Sequence, residues 1–298
     1  MSQSTQQVTA QIGGRPTVGV DIPVCAVLIA MFVILAASHM TILQRNRRSG
    51  HKFIFNGLCF GFAMSRIAAN VLRLVWATRP TNADVALVAS VFLNAGIVLV
   101  YIINNLLAWR IVRASMPKFG WNKVVRIVNR VMLWGVLGLI VPLIVIIILR
   151  IKRPTLPHIM SASNVVTKLA QTYFLIIAVQ PAILLPIAYF KSRNGPIDPF
   201  GKGSWNSKFI VLGISVTLAV IEAGFRCGTT WTPAPLASNP AWWDHRAAFY
   251  CFNFMIDIFI LATLLVGRMD RRFWIPNGAE GMGSYSRGLE RERSDLEK

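Results

Sequence analysis

Val141-Pro-Leu-Ile-Val-Ile-Ile-Ile-Leu149 runs for nine residues without one polar side chain. Extended back to Val128, it becomes long enough to cross a bilayer. An apolar core of about 30 Å needs about 20 helical residues at about 1.5 Å each. Six other stretches meet the same requirement. The predicted spans are Asp21–Leu43, Phe53–Trp76, Asp84–Ala108, Val128–Leu149, Asn164–Phe190, Lys208–Gly228 and Ala247–Gly267. The second and sixth are the least apolar, because each carries arginine. The expected fold is all-α, a polytopic membrane protein built as a seven-transmembrane-helix bundle.

Composition agrees. Of the 298 residues, 54% are hydrophobic and 14% charged, and the mean hydropathy is +0.54. Soluble domains carry about 25% charged residues. A soluble enzyme, a disordered tail protein and a disulfide scaffold are therefore excluded. The 31 Lys and Arg against 12 Asp and Glu give a net charge of +19, which in a soluble chain would suggest nucleic acid. Here the charges lie between spans. The segments 44–52, 109–127 and 191–207 and the tail from 268 carry four, five, three and seven basic residues. The alternate set (1–20, 77–83, 150–163 and 229–246) carries six in all. The positive-inside rule then predicts an external N-terminus and a cytoplasmic C-terminus. The partners expected are membrane lipids and an anionic or lipophilic small molecule, with no nucleic acid.

Three regions follow. Residues 1–20 read as a polar external tail without a cleavable signal, 21–267 as the membrane domain, and 268–298 as a basic cytoplasmic tail. Its opening, Arg268-Met-Asp-Arg-Arg-Phe-Trp-Ile-Pro276, is expected on anionic headgroups, and its end from Arg287 to be disordered. Localisation is integral to a plasma membrane or endomembrane.

Motifs of soluble chemistry are missing. There is no P-loop, dinucleotide fingerprint, His-Glu-x-x-His or Gly-x-Ser-x-Gly. The four histidines are scattered, so no metal, cofactor or catalytic residue is assigned. Cys227 and Cys251 fall near the outer ends of consecutive spans, where a disulfide is geometrically possible. Two buried small residues are the plainer reading.

Ionisable groups inside spans are costly and become functional candidates by default. Arg66, Asn70 and Arg73 share one face of the second span, and Glu222 and Arg226 lie one turn apart on the sixth. Tyr250, Asn253 and Asp257 share a face of the seventh. Lys168 lies near the outer end of the fifth. These nine residues are the candidate ligand-binding set. Their excess of positive charge suits an anionic head such as a phospholipid or carboxylate. They suit helix-to-helix pairing as well, with Arg66 or Arg73 on Asp257 and Glu222 on Arg226. Pro142 in the fourth span and Pro181 and Pro186 in the fifth mark candidate bends.

Three stretches resemble the fungal RTA-like lipid-translocating exporter family, seven-span proteins linked to lipid movement and resistance to lipophilic toxins. The family's second-span Glu-x-x-Gly-Tyr-x-x-Arg corresponds to Arg66-Ile-Ala-Ala69-Asn70-Val-Leu-Arg73, which keeps the final arginine. Its Phe-Arg-x-x-Glu corresponds to Phe225-Arg226-Cys-Gly-Thr229, and its Tyr-x-Phe-Asp to Tyr250-Cys-Phe-Asn253. Glu222 and Asp257 offer substitute acids on the same faces. Arg246-Ala-Ala-Phe-Tyr-Cys-Phe-Asn253 and Asp270-Arg-Arg-Phe-Trp-Ile-Pro276 also resemble an uncharacterised fungal seven-span family sharing this outline. The resemblance implies transport or binding of a lipid or lipophilic anion rather than an enzyme. Two alternatives stand beside it. One is an intramembrane enzyme similar to terpene cyclases, with Asp257 or Glu222 as acid; the other is a seven-span receptor.

Overall fold

The computed structural model describes residues 12–51, 53–153, 156–233, 235–276, 278–287 and 290. Seven helices long and apolar enough to cross a membrane lie over the predicted spans. They are Val18–Arg48, Phe55–Thr78, Asp84–Ser115, Lys123–Lys152, Pro157–Arg193, Trp205–Trp231 and Arg246–Val266. The chain is a multi-pass integral membrane protein. Seven crossings place the two ends of the chain on opposite faces, called here the N-face and the C-face.

Local chemistry explains several helix ends. The Asn82 side chain accepts from the Asp84 and Val85 amides at 3.0 and 3.3 Å, and Asn122 accepts from Val124 at 2.9 Å. Both satisfy N–H groups that a first turn leaves free. Pro157 opens the fifth helix, where its missing N–H costs nothing. Arg45, Arg47 and Arg48 close the first helix, and Lys191 and Arg193 the fifth. Cations are favoured there by the helix dipole.

The third span is the central column. It packs against the second, fourth, fifth and sixth, while the first and seventh close the ring beside the second and sixth. Its second half, Val98–Ser115, is buried at thirteen of eighteen positions and half-buried at the rest. Polar rungs tie it to its neighbours. Ser215 donates to Asn104 at 2.8 Å and Asn105 to Gln180 at 2.7 Å, and Gln180 in turn donates to Asn129 at 3.4 Å, which links the fifth span to the fourth. Such bonds hold membrane helices together where apolar contact with lipid offers no driving force. The fourth span lies at the edge, with Val131, Trp134, Val141 and Val145 facing outward. Trp134, a tryptophan far from any predicted boundary, thus sits on the lipid-facing side.

The helix interruptions are elsewhere than the prolines. The fourth and fifth helices run unbroken through Pro142, Pro181 and Pro186. The third breaks at Ile97, and the seventh widens to a π turn over Cys251–Met255. At the first break a Cβ on Gly96 would collide with the Ser65 hydroxyl, and would lie 3.3 Å from the Ser65 Cβ. Close approach of the second span therefore accompanies the interruption.

On the C-face the chain turns at Arg268, whose φ of 46° is the one positive value of a non-glycine residue among the described residues. It then packs beneath the bundle. Arg110 donates to the Phe273 carbonyl, and Phe273 and Tyr285 are fully buried. The Lys202 amide donates to the Arg271 carbonyl at 2.8 Å, and the Ser286 amide to Asp198 at 2.9 Å. The opening of the tail is thus folded against the loop at 198–205. The expected disorder beyond Arg287 falls almost wholly outside the described residues, as do the first eleven residues of the N-terminal tail.

All four cysteines are free. Cys227 is buried with its Sγ 3.8 Å from the Thr172 hydroxyl, and Cys251 is exposed. The two face different surroundings, so the disulfide that spacing allowed is not formed.

Candidate functional site

Two buried charged clusters lie at different depths along the second span. Arg66 and Arg73, seven residues apart, sit about 10 Å from one another along the helix.

Arg66 anchors the central cluster. Its Nε lies 2.7 Å from Asp257 Oδ2, and its Nη2 lies 3.6 Å from Glu222 Oε1. Arg226 Nε meets the same Glu222 oxygen at 3.0 Å. Arg66, Glu222 and Asp257 are 0% exposed and Arg226 is 7%. Two guanidinium groups against two carboxylates leave no formal charge. Both arginines also donate to the Leu93 carbonyl, at 2.8 and 3.4 Å, one turn before the break at Ile97. Irregular backbone inside a membrane needs such partners. Phe62 and Phe254 rings face the Arg66 guanidinium at 4.9 and 5.8 Å.

The cluster is not fully satisfied. Glu222 Oε2, the Tyr101 hydroxyl and Asn70 Oδ1 are buried without a hydrogen-bond partner among the described residues. Asn70 donates to the Arg66 carbonyl at 2.8 Å, and Asn253 to the Phe249 carbonyl at 2.9 Å within the π turn. In a low-dielectric interior these orphan groups are costly. They give the cluster capacity for a water, a proton or a second arrangement.

Arg73 belongs to the other cluster, nearer the N-face. Its Nη2 lies 2.9 Å from Asp21, and its Nε donates to the Tyr250 hydroxyl at 3.0 Å. Tyr250 donates to Asp21 at 2.5 Å. Arg73 also donates to the Gly13 carbonyl at 2.8 Å, and Arg246 approaches Asp21 at 3.6 Å. This cluster fastens the start of the first span to the second and seventh. Gly13 packs on Phe249 so closely that a side chain there would overlap its ring.

The sequence put the nine residues in one set; the structure divides them, with Arg66, Glu222, Arg226 and Asp257 in the central cluster and Arg73 with Tyr250 in the other. Lys168 joins neither cluster; its ammonium lies 4.9 Å from the Trp231 ring. Asp21 was missed, because an acid at a span boundary reads as a helix-start residue. Including it removes one unit of the apparent positive excess. Nothing in the sequence signals the Leu93 carbonyl or the Tyr101 hydroxyl as partners.

Two grooves open on the outer surface of the bundle. One, of about 300 Å³, lies between the sixth and seventh spans and is walled by Phe225, Trp242, Trp243 and Phe252 over Gly224 and Gly228. The Phe225 and Phe252 rings stack at 4.3 Å. The other, of about 260 Å³, lies towards the C-face between the third, fourth and fifth spans. None of the nine candidate residues lines either groove.

A family described as protein of unknown function (DUF3112) matches residues 201–274. That segment holds the sixth and seventh spans, with Glu222, Arg226, Tyr250, Asn253 and Asp257, and the start of the tail. No curated protein and no solved structure matches the chain.

Proposed function

We propose that the protein binds and moves a lipid or lipophilic small molecule, with its N-terminus outside and its C-terminus in the cytoplasm. In this reading the central cluster is the joint between moving spans, and the cargo travels along the outer grooves. The resemblance to lipid-translocating exporters supports the cargo class.

One observation carries the role of the cluster. Four buried charged side chains from the second, sixth and seventh spans meet in one cluster, and two of them, Arg66 and Arg226, donate to the Leu93 carbonyl of the third span, one turn before its interruption. Stability alone does not call for this, since well-packed apolar side chains often serve equally well in place of a buried ion pair. A cluster that includes the two discontinuous helices, with orphan polar atoms in it, suits two arrangements of those helices. The enzyme reading gains nothing comparable, because neither groove is lined by Asp257 or Glu222.

The test uses purified protein in vesicles containing fluorescent phospholipid, with an added quencher that reaches only the outer leaflet. Faster loss of protected signal than in empty vesicles is expected. Equal rates for phospholipid, and no uptake of labelled fatty acid or isoprenoid, would overturn the reading.

A further inference from the structure

We infer that the groove near the C-face is a binding site for an anionic phospholipid, independent of whether the protein moves lipid and of how it is oriented. Phe119, Val124, Val125, Val128 and Leu184 supply apolar walls for an acyl chain, while Asn129 and Gln180 supply polar side chains among them. Trp109 completes the lining. It is 4% exposed, stacks on Phe119 at 6.1 Å, and its indole N–H has no acceptor among the described residues. A buried donor without an acceptor is expensive. A groove that a bilayer lipid enters resolves it, because a glycerol ester carbonyl accepts hydrogen bonds.

Depth and charge select the headgroup. Trp109 lies six residues before the end of the third helix at Ser115, which is about 9 Å along the axis. A tryptophan at that depth sits at the ester level, with the phosphate one step further out. The chain from Trp109 to Arg130 carries six basic residues and no acidic one. Arg110 is engaged by the Phe273 carbonyl, and Arg113 lies over the Trp121 ring. Lys118, Lys123, Arg126 and Arg130 have no ion-pair partner among the described residues. Three of them, Lys118, Lys123 and Arg126, belong to the short helix and the first turn of the fourth span, each next in sequence to a residue that lines the groove. An anionic head there meets cations that have no ion-pair partner among the described residues.

The full chain is placed in phosphatidylcholine nanodiscs with a trace of phosphatidylserine carrying a diazirine in its acyl chain. A parallel sample carries the same diazirine on phosphatidylcholine. After irradiation, label is counted in peptides spanning 117–132 and 180–190. The phosphatidylserine probe should label them roughly ten-fold more than the phosphatidylcholine probe. Lys118→Gln/Lys123→Gln/Arg126→Gln should erase that excess. Trp109→Phe, which keeps an aromatic side chain but loses the N–H with the five-membered ring that carries it, should lower labelling about five-fold. Val128→Trp fills the groove from a side chain that is 52% exposed, so folding survives, and it should remove label from both probes. Equal labelling by the two probes, or phosphatidylserine labelling undiminished by Val128→Trp, would overturn the site. Lipid movement in vesicles is a separate readout, and its loss or presence does not bear on this result.

Discussion

At the scale of single residues, Arg66 carries the largest consequence. Truncation to alanine leaves Asp257 without its nearest partner and takes one of two donors from the Leu93 carbonyl. Removing one member of a buried pair typically costs about 3–5 kcal/mol, so Arg66→Ala should unfold in detergent at a clearly lower temperature. Tyr250→Phe removes the O–H bond to Asp21 together with the acceptor for Arg73 Nε, and should cost about 1–3 kcal/mol. Asp270, beyond the last span, gives a pH signature. Burial pushes its carboxyl up, but hydrogen bonds from Arg268 and Asn46 and the charges of Arg268 and Arg271 outweigh this and hold it below the usual aspartate value. Its contribution to stability is therefore complete above about pH 3.9 and is lost as pH falls through the lower folded-state value. Asp270→Asn should be less stable than wild type at neutral pH, with the gap closing on acidification; a gap that widens in acid would contradict the assignment. Arg66, Glu222, Arg226 and Asp257 were legible in the sequence because charge inside an apolar stretch is conspicuous. The Glu222–Arg226 pair was legible too, one turn apart on one helix, and Arg66 was one of two candidates for Asp257. The contact of Arg66 with Glu222 was not, since it depends on which helix faces meet.

At the scale of elements, the breaks in the third and seventh spans are what the sequence concealed. Proline is the visible marker of an interruption, yet the fifth helix continues unbroken through Pro181 and Pro186. Neither break contains proline, and both are tied to side chains from other helices. Gly96 is the local requirement at the first. Gly96→Ala should destabilise the protein by about 1–3 kcal/mol through overlap with Ser65. Ser65→Ala deletes the hydroxyl that the new methyl meets, leaving the Ser65 Cβ 3.3 Å away. The double variant should then recover much of the loss. Additive losses, measured by thermal unfolding of the four proteins of the cycle, would mean that the two spans do not touch there.

At the scale of the whole molecule, seven apolar helices follow from length and hydropathy alone, and the basic loops predict which face is cytoplasmic. The arrangement around the third span needed three-dimensional packing, because a helix buried on all sides and one facing lipid are both apolar. In the proposed function the charged cluster serves movement rather than stability. The most direct measurement compares lipid movement by wild type and Arg66→Met/Asp257→Leu in the same vesicles. This replacement removes one cation and one anion, and leaves the Glu222–Arg226 pair in place. The variant should fold with stability within about 2 kcal/mol of wild type but no longer move lipid above the rate of empty vesicles. A folded variant that moves lipid as fast as wild type would contradict it.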